Sequence, residues 1–233
     1  MKGSVDSIET FGLVDGPGIR TVIFLNGCSL RCKFCHNPET WKVQELNFTS
    51  DEIVEKVKRN KPYFNNGGGV TFSGGEPLIQ YDFLIDCCKK LKKENIHIAL
   101  DTAGIGLGNY DELFDNIDMV LLDIKHINPE KSKELVGASN EKELAFAKYL
   151  SDNNIPIWIR QVIVPGITDN EDDLIKLKDF ISSLKTVKNI ELLPYHNLGK
   201  HKWETLGFEY KLKDVRQATN DDVNRAKTIL GIN

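Results

Sequence analysis

Six short apolar runs, at residues 21–25, 69–72, 97–100, 119–123, 156–164 and 190–193, alternate with amphipathic stretches at 50–59, 81–93, 110–116, 141–153, 171–183 and 221–230. The short runs are β-branched or leucine-rich and end in punctuation or a charge, as strands do. The longer ones carry apolar residues at helical spacing. Ser50 ahead of Ile53 and Val57, and Asn170 ahead of acidic residues, have the chemistry of helix starts. Strand–helix alternation of this kind predicts parallel strands with right-handed crossovers, an α/β fold. A complete eight-unit barrel takes about 250 residues. At 233 residues, six units and a lead-in segment fit better. Periodicity alone leaves a doubly wound sheet as the alternative.

The length predicts one domain: a lead-in at 1–20, a partial barrel over 21–200 and a C-terminal helical segment at 201–233. A net charge of −4 lacks the basic excess of a nucleic-acid binder, and no apolar run approaches the ~18 residues of a membrane span. Residues 1–10 show no basic stretch followed by an apolar one, so no export signal is read there. With an odd count of five cysteines, this predicts a reducing, cytoplasmic setting. Cys87 and Cys88, adjacent in an apolar-periodic stretch, read as small buried hydrophobes.

The other cysteines, Cys28, Cys32 and Cys35, sit in C-x3-C-x2-C spacing directly after the first short run. One turn of backbone can aim three such thiolates at a metal centre. Iron–sulfur cubes are ordinarily held by four cysteines. Three would leave one iron open, and an open position is where catalytic metal sites take substrate. Four rivals exist. Zinc could use these thiolates with His36 as a Cys3His set, although His36 adjoins Cys35, which makes joint ligation of one ion awkward. Cys32–His36 also spells C-x-x-C-H, the c-type haem attachment string, but that chemistry and a disulfide both need export. Buried structural thiols fit a glycine- and arginine-bearing loop poorly.

Polar residues follow the short runs in turn. After the first comes the cysteine loop, and after the second Ser73-Gly74-Gly75-Glu76. Asp101-Thr102 ends the third, Asp123-Ile124-Lys125 the fourth, Arg160 lies in the fifth, and Tyr195-His196 follows the sixth. In parallel α/β folds chemistry collects at the carboxyl ends of strands. A charge there is costly to bury unless it is paired or binds something. Asp123 and Lys125, two apart on one strand, could instead be a plain structural pair.

Several segments together resemble the radical S-adenosylmethionine (SAM) superfamily and, within it, the family of pyruvate formate-lyase activating enzymes. They are VDGPGIR (14–20), GC-x3-C-x2-CHNP-x-TW (27–41), GGGVTFSGGEP (67–77), LLDIK (121–125), WIR-x-VIVPG (158–166) and LLPYHNLGKHKW (192–203), in order along essentially the whole chain. The resemblance implies an open parallel (β/α)6 partial TIM barrel. It implies a [4Fe–4S] cluster on Cys28, Cys32 and Cys35 whose fourth iron takes SAM, and one-electron cleavage to methionine and a 5′-deoxyadenosyl radical. Phe34, Cys35, His36, Asn37, Gly74, Gly75, Glu76, Asp101, Asp123, Ile124, Lys125, Arg160 and His196 would contact SAM. Asp101, Thr102 and Asp123 could hold a monovalent cation beside it. Asp15, Gly16, Pro17, Gly18 and Arg20 would hold the glycine-bearing peptide of the protein substrate, pyruvate formate-lyase. Flavodoxin or ferredoxin would supply the electron to a monomeric enzyme.

Two departures and a decoy accompany this. The family's D-T-N-G reads Asp101-Thr102-Ala103-Gly104, so any role of that asparagine side chain is lost. No cysteine lies between Cys35 and Cys87, which argues against a second cluster. The glycine-rich 104–108 stretch lacks G-x-G-x-x-G spacing and reads as a flexible loop. Other functions weighed are activation of a different glycyl-radical enzyme, a small-molecule radical SAM reaction, an electron-transfer iron–sulfur protein and a zinc-stabilised binding module. The third would need four ligands. The fourth would need neither the Gly-Gly-Glu run nor the strand-end acids.

Overall fold

The computed structural model describes residues 1–106 and 110–232; Leu107 and Gly108 of the glycine-rich stretch therefore lie outside the described residues. The chain forms two compact units, Met1–Ser29 with Thr40–Leu121, and Leu30–Glu39 with Leu122–Asn233.

The first unit contains strands β1 (Lys2–Gly3), β2 (Val5–Gly12), β3 (Arg20–Leu25), β4 (Phe48–Thr49), β5 (Gly69–Gly74) and β6 (His97–Thr102), and most of β7 (Met119–Asp123). Its helices are α1 (Ser50–Asn60), α2 (Tyr81–Lys93) and α3 (Asp111–Phe114). β3, β5 and β6 pair in parallel, while β2 runs antiparallel to β3. Val22, Ile23, Val70, Phe72, Ile98 and Leu100 are all buried, as are Ile53 and Val57 of α1 and Leu84 and Leu91 of α2. Strands covered on both faces read as continuous apolar runs, which is why the sequence locates them. α1 is capped by Thr49, not Ser50. The Thr49 hydroxyl accepts from Glu52 N at 3.2 Å while Thr49 N donates to Glu52 Oε2 at 2.8 Å, a reciprocal capping box.

The second unit takes the end of β7, then β8 (Ile157–Ile163) and β9 (Val187–Pro194), which pair in parallel. Its helices are α4 (Pro129–Val136), α5 (Glu141–Asp152), α6 (Glu171–Ser182), α7 (Lys200–Thr205) and α8 (Asn220–Leu230). Asn170 caps α6 as its sequence suggests, accepting from Asp173 N at 3.3 Å.

Among the described residues, β2, α4 and the two-residue strands β1 and β4 escape the periodicity argument. β2 occupies the expected lead-in; it alternates weakly and leaves most of its residues exposed, as an edge strand can. α4 is short and lysine-rich, yet Asn128 caps its start and Gly137, at φ 82°, closes its end. α7, six residues long, opens the expected C-terminal helical segment.

Candidate active site

In the first unit the end of β3 leads into the cysteine loop. Gly27 N donates to Thr40 O at 2.6 Å and Cys28 N to Trp41 O at 3.2 Å, so the loop's first thiol hangs from a backbone held by the chain that returns from it. The end of β5 presses on the same point: Gly75 N reaches Leu25 O at 2.8 Å and Glu76 N reaches Gly27 O at 2.7 Å. A Cβ at Gly74 would strike the backbone of Leu25, and one at Gly75 the carbonyl of Gly27. The double glycine, read from sequence as an approach to a ligand, here permits chain to press on chain.

Glu76 is 1% exposed. Its carboxyl accepts from Leu78 N at 3.2 Å, the Thr102 hydroxyl at 2.5 Å and Ala103 N at 3.0 Å. It therefore ties the end of β5 to the end of β6, and its side chain is spent on the protein. Burial pushes its pKa up to about 7, against these hydrogen bonds, which oppose the rise. A carboxyl raised in the folded state favours folding most below its unfolded pKa of roughly 4.3, and loses that contribution as pH rises through about 7. Glu76→Gln is expected to remove this slope, worth on the order of 3 kcal/mol across the window; melting temperature against pH for both proteins is the measurement. Asp101 accepts from the Ser73 hydroxyl at 2.6 Å. The Thr102 hydroxyl, besides binding Glu76, accepts from Gly104 N at 2.8 Å.

The loop before β3 is pinned from beneath. Thr71 Oγ1 donates to Asp15 O at 2.7 Å, and Gly16 and Gly18 have φ of 120° and 67°, where a side chain is strained. Arg20, expected to face a partner peptide, does not: it is fully buried, with its guanidinium on Thr71, the carbonyls of Pro17, Gly67 and Val70, and His97. Burial lowers its pKa to about 10. Its five donors suit a bracket with several carbonyls. Leu13 and Val14 beside this loop are 71% and 73% exposed.

In the second unit the cysteine loop lies along the end of α4. Arg31 N donates to Val136 O and Lys33 N to Leu135 O, both at 2.9 Å. Cys35 N donates to Cys32 O at 3.0 Å, closing a tight turn between the two thiols. Phe34 is buried with the Lys125 ammonium 5.8 Å from its ring centroid. His36 and His196 stack with centroids 4.2 Å apart, and His36 Nε2 donates to His196 O at 3.0 Å. Asn37 accepts from Lys202 Nζ at 2.8 Å. Buried His196 Nδ1 has no hydrogen-bond partner among the described residues, and burial, then the neighbouring His36 ring, hold it below the usual histidine range.

The end of β7 carries a buried charge cluster. Asp123 takes Lys125 Nζ at 2.6 Å and Arg160 Nε at 3.2 Å. Burial acts to raise the Asp123 pKa, but the two cations overcome it and hold the carboxyl below the ordinary range. The structural pairing of Asp123 with Lys125 is thus real, and Arg160 extends it. Ile124 N donates to Arg160 O at 2.9 Å. Sequence reasoning missed Glu143, buried in α5, whose carboxylate accepts from Lys125 N at 3.0 Å and is pushed well up by burial. It also missed Glu39, which binds Lys202 Nζ at 2.5 Å, and Trp203. The last lay within the quoted 192–203 segment, where only His196 drew a role.

A cluster needs thiolates. Among the described residues no disulfide joins any of the five cysteines. Burial lifts the Cys87 thiol to about 12 and the Cys88 thiol well above its usual value, so those two stay protonated. Cys28 and Cys35 are partly accessible on the loop. No three His, Cys, Asp or Glu side chains among the described residues converge on a single ion; thiolates on separate corners of a cube need no such convergence. The orphaned His196 nitrogen and the carboxylate–cation cluster at β7 supply the polar groups that an amino-acid-bearing cosubstrate would meet. The donor set fits the implied cluster and SAM.

Polar groups gathered at the ends of parallel strands are what α/β enzymes present, and the three-cysteine loop suits a cluster-dependent one. A family model described as the Radical SAM superfamily matches residues 22–178, and the chain belongs to that superfamily. It is 48% identical over 237 residues to a protein of Staphylococcus aureus (strain USA300) named pyruvate formate-lyase-activating enzyme, covering 97% of this chain and 94% of that protein. A crystal structure of a domain of pyruvate-formate lyase-activating enzyme from Bacteroides vulgatus is similar with TM-score 0.60 at 27% identity, over 70% of this chain and 93% of that one. A radical SAM methyltransferase from Sphaerobacter thermophilus shares the fold, with TM-score 0.67 at 17% identity, over 91% of this chain and 63% of that one.

Proposed function

We propose that this chain activates a glycyl-radical enzyme, with pyruvate formate-lyase as its protein substrate. The observation that carries the reading is 48% identity along nearly the whole of a curated relative of that name. Alongside it stands a loop whose two halves are each fixed by backbone hydrogen bonds around its thiols.

Cys28, Cys32 and Cys35 would hold the cluster. A cluster held there would supply the one-electron reduction that cleaves SAM, and with it the hydrogen abstraction from the target glycine. His196, with its unpartnered Nδ1, and Asn37 would orient the cosubstrate, as would the backbones at Gly74 and Gly75. Lys125 and Arg160, fixed by their shared Asp123, would take its carboxylate. Phe34, with the Lys125 ammonium 5.8 Å from its ring centroid, would pack against the cosubstrate. The finer parts of this reading are a monovalent cation on Asp101, Thr102 and Asp123, flavodoxin or ferredoxin as electron donor, a monomeric enzyme and a cytoplasmic setting. Among the described residues no helix is long and apolar enough to cross a membrane.

Anaerobic reconstitution with iron and sulfide, followed by EPR of the reduced cluster with and without SAM, tests the cofactor reading. A spectrum indifferent to SAM would overturn it. The target is tested by glycyl-radical formation on pyruvate formate-lyase. Asp15, Gly16, Pro17 and Gly18 form the pinned loop that would lie over the extended glycine-bearing segment, with Arg20 holding it from below. Asp15→Ala is expected to slow radical formation on the target by on the order of 100-fold, the cost of ångström-scale misplacement. Slow uncoupled SAM cleavage should change little. The readout is the glycyl-radical EPR signal against 5′-deoxyadenosine yield; equal loss of both would place Asp15 with the cofactor or the fold.

A further inference from the structure

Four separate contacts join residues 35–39 to the segment from His196 to Trp203, all inside the second unit. His36 stacks on His196 and donates to its carbonyl. Gly199 lies against His36 so closely that a Cβ there would stand 2.8 Å from His36 Cα and 3.1 Å from its carbonyl oxygen. Lys202 Nζ bridges Asn37 and Glu39. Trp203 Nε1 donates to the carbonyl of Cys35 at 2.8 Å.

The last contact differs from the rest in reaching a thiol-bearing residue itself. The Cys35 N–H is already committed to Cys32 O at 3.0 Å. With the carbonyl held by Trp203, both backbone polar groups of Cys35 are fixed. Indole N–H is a donor only, so its aim is unambiguous. The ring behind it is firmly seated. Trp203 is 4% exposed and meets the ring of Tyr210 edge-on with centroids 5.4 Å apart, and that of Phe208 at 6.5 Å.

We propose that Trp203 is a positioning residue for the Cys35 thiolate, acting through its indole hydrogen bond to the Cys35 carbonyl, with Gly199 and Lys202 holding the same strap against the loop. The proposal rests on Cys35 being a cluster ligand. Groups outside the ligand set orient metal ligands and are costly to lose; hydrogen bonding around a cluster also shifts its electronic properties. The strap makes the carboxyl-terminal third of the chain part of the cluster's mounting.

Trp203→Phe keeps an aromatic ring in the seat and deletes the N–H. Tyr210→Phe is the control, since it removes a hydroxyl 2.8 Å from Tyr195 in the same aromatic group and leaves the hydrogen bond from Trp203 to the Cys35 carbonyl in place. After anaerobic reconstitution, iron release to a chelator is timed, and the reduced cluster's EPR spectrum is recorded with and without SAM. The metal-free proteins are compared by melting temperature. Trp203→Phe is expected to release iron about 10-fold faster, the low end for loss of an orienting partner, and to change the SAM-bound spectrum, while Tyr210→Phe matches wild type in both. Gly199→Ala, which leaves the Trp203 seat intact and pushes on His36, is expected to speed release as well; it carries the test should Trp203→Phe not fold. Wild-type release and spectrum in the folded variants would overturn the proposal alone, as would equal acceleration by Tyr210→Phe. A wild-type protein that takes up no cluster would overturn the assignment of Cys35 and the proposal with it.

Discussion

Cys28→Ser, Cys32→Ser and Cys35→Ser are each expected to abolish reductive SAM cleavage, lowering it by more than about 100-fold, the upper end of what losing even an orienting partner of a metal ligand costs. Cys87→Ser and Cys88→Ser should leave cleavage intact. The contrast follows from environment. The first three sit on a loop whose backbone is fixed on both sides by hydrogen bonds, while the other two are buried in α2 with thiols that resist ionisation. A serine hydroxyl in that apolar interior costs about 1–3 kcal/mol. The α2 variants should therefore melt earlier yet bind iron normally. Iron and sulfide per chain, with 5′-deoxyadenosine yield, separate the two classes. Full cleavage by Cys32→Ser would sink the cluster assignment.

Asp123→Ala should combine two large effects. The substitution removes the acid shared by two partly buried cations, and breaking such a cluster costs roughly 3–5 kcal/mol. The folded fraction should bind SAM about 10- to 100-fold more weakly at unchanged iron content, because Lys125 and Arg160 lose the group that orients them. Acid stability gives an independent reading. The Asp123 pKa is depressed in the folded state, so its stabilisation is present above the unfolded value of roughly 3.9 and is lost as pH falls through the folded one. Asp123→Ala should flatten that acid limb of a plot of melting temperature against pH. Unchanged SAM affinity in the folded fraction would leave Asp123 a structural role only.

Where the sequence was legible, the reason is burial. β3, β5, β6, β7 and β8 carry the near-continuous apolar runs of strands buried on both faces, β9 buries Leu192 alone, and each lies within a few residues of its expected place. β2 hid because an edge strand needs little apolar pattern. At the site, residue type announced chemistry but not its direction. Lys125 and Asp123 were visible as charges at a strand end, whereas Glu143 was not: it contributes through a backbone N–H eighteen positions away in sequence. Arg20 shows the opposite failure, since an arginine beside a glycine-rich loop has the look of a recognition group and proves to be a buried bracket. At the Gly-Gly-Glu run the glycines also clear space for Leu25 and Gly27, a close approach of chain to chain that residue type alone does not reveal.

The mounting of the cysteine loop has a bearing on biogenesis. Its first third is set by Thr40, Trp41 and Glu76, its middle by Leu135 and Val136, and its end by Trp203. At the ~5–20 residues per second of ribosomal synthesis, the cysteines emerge many seconds before the last of these partners exists. A nascent chain therefore presents three thiols with no rigid seat. Scaffold proteins that deliver preassembled clusters would find their acceptor only after release, once the strap from His196 to Trp203 has closed. Truncations anywhere upstream of Trp203 should accumulate as iron-poor protein, however well the remaining strands fold.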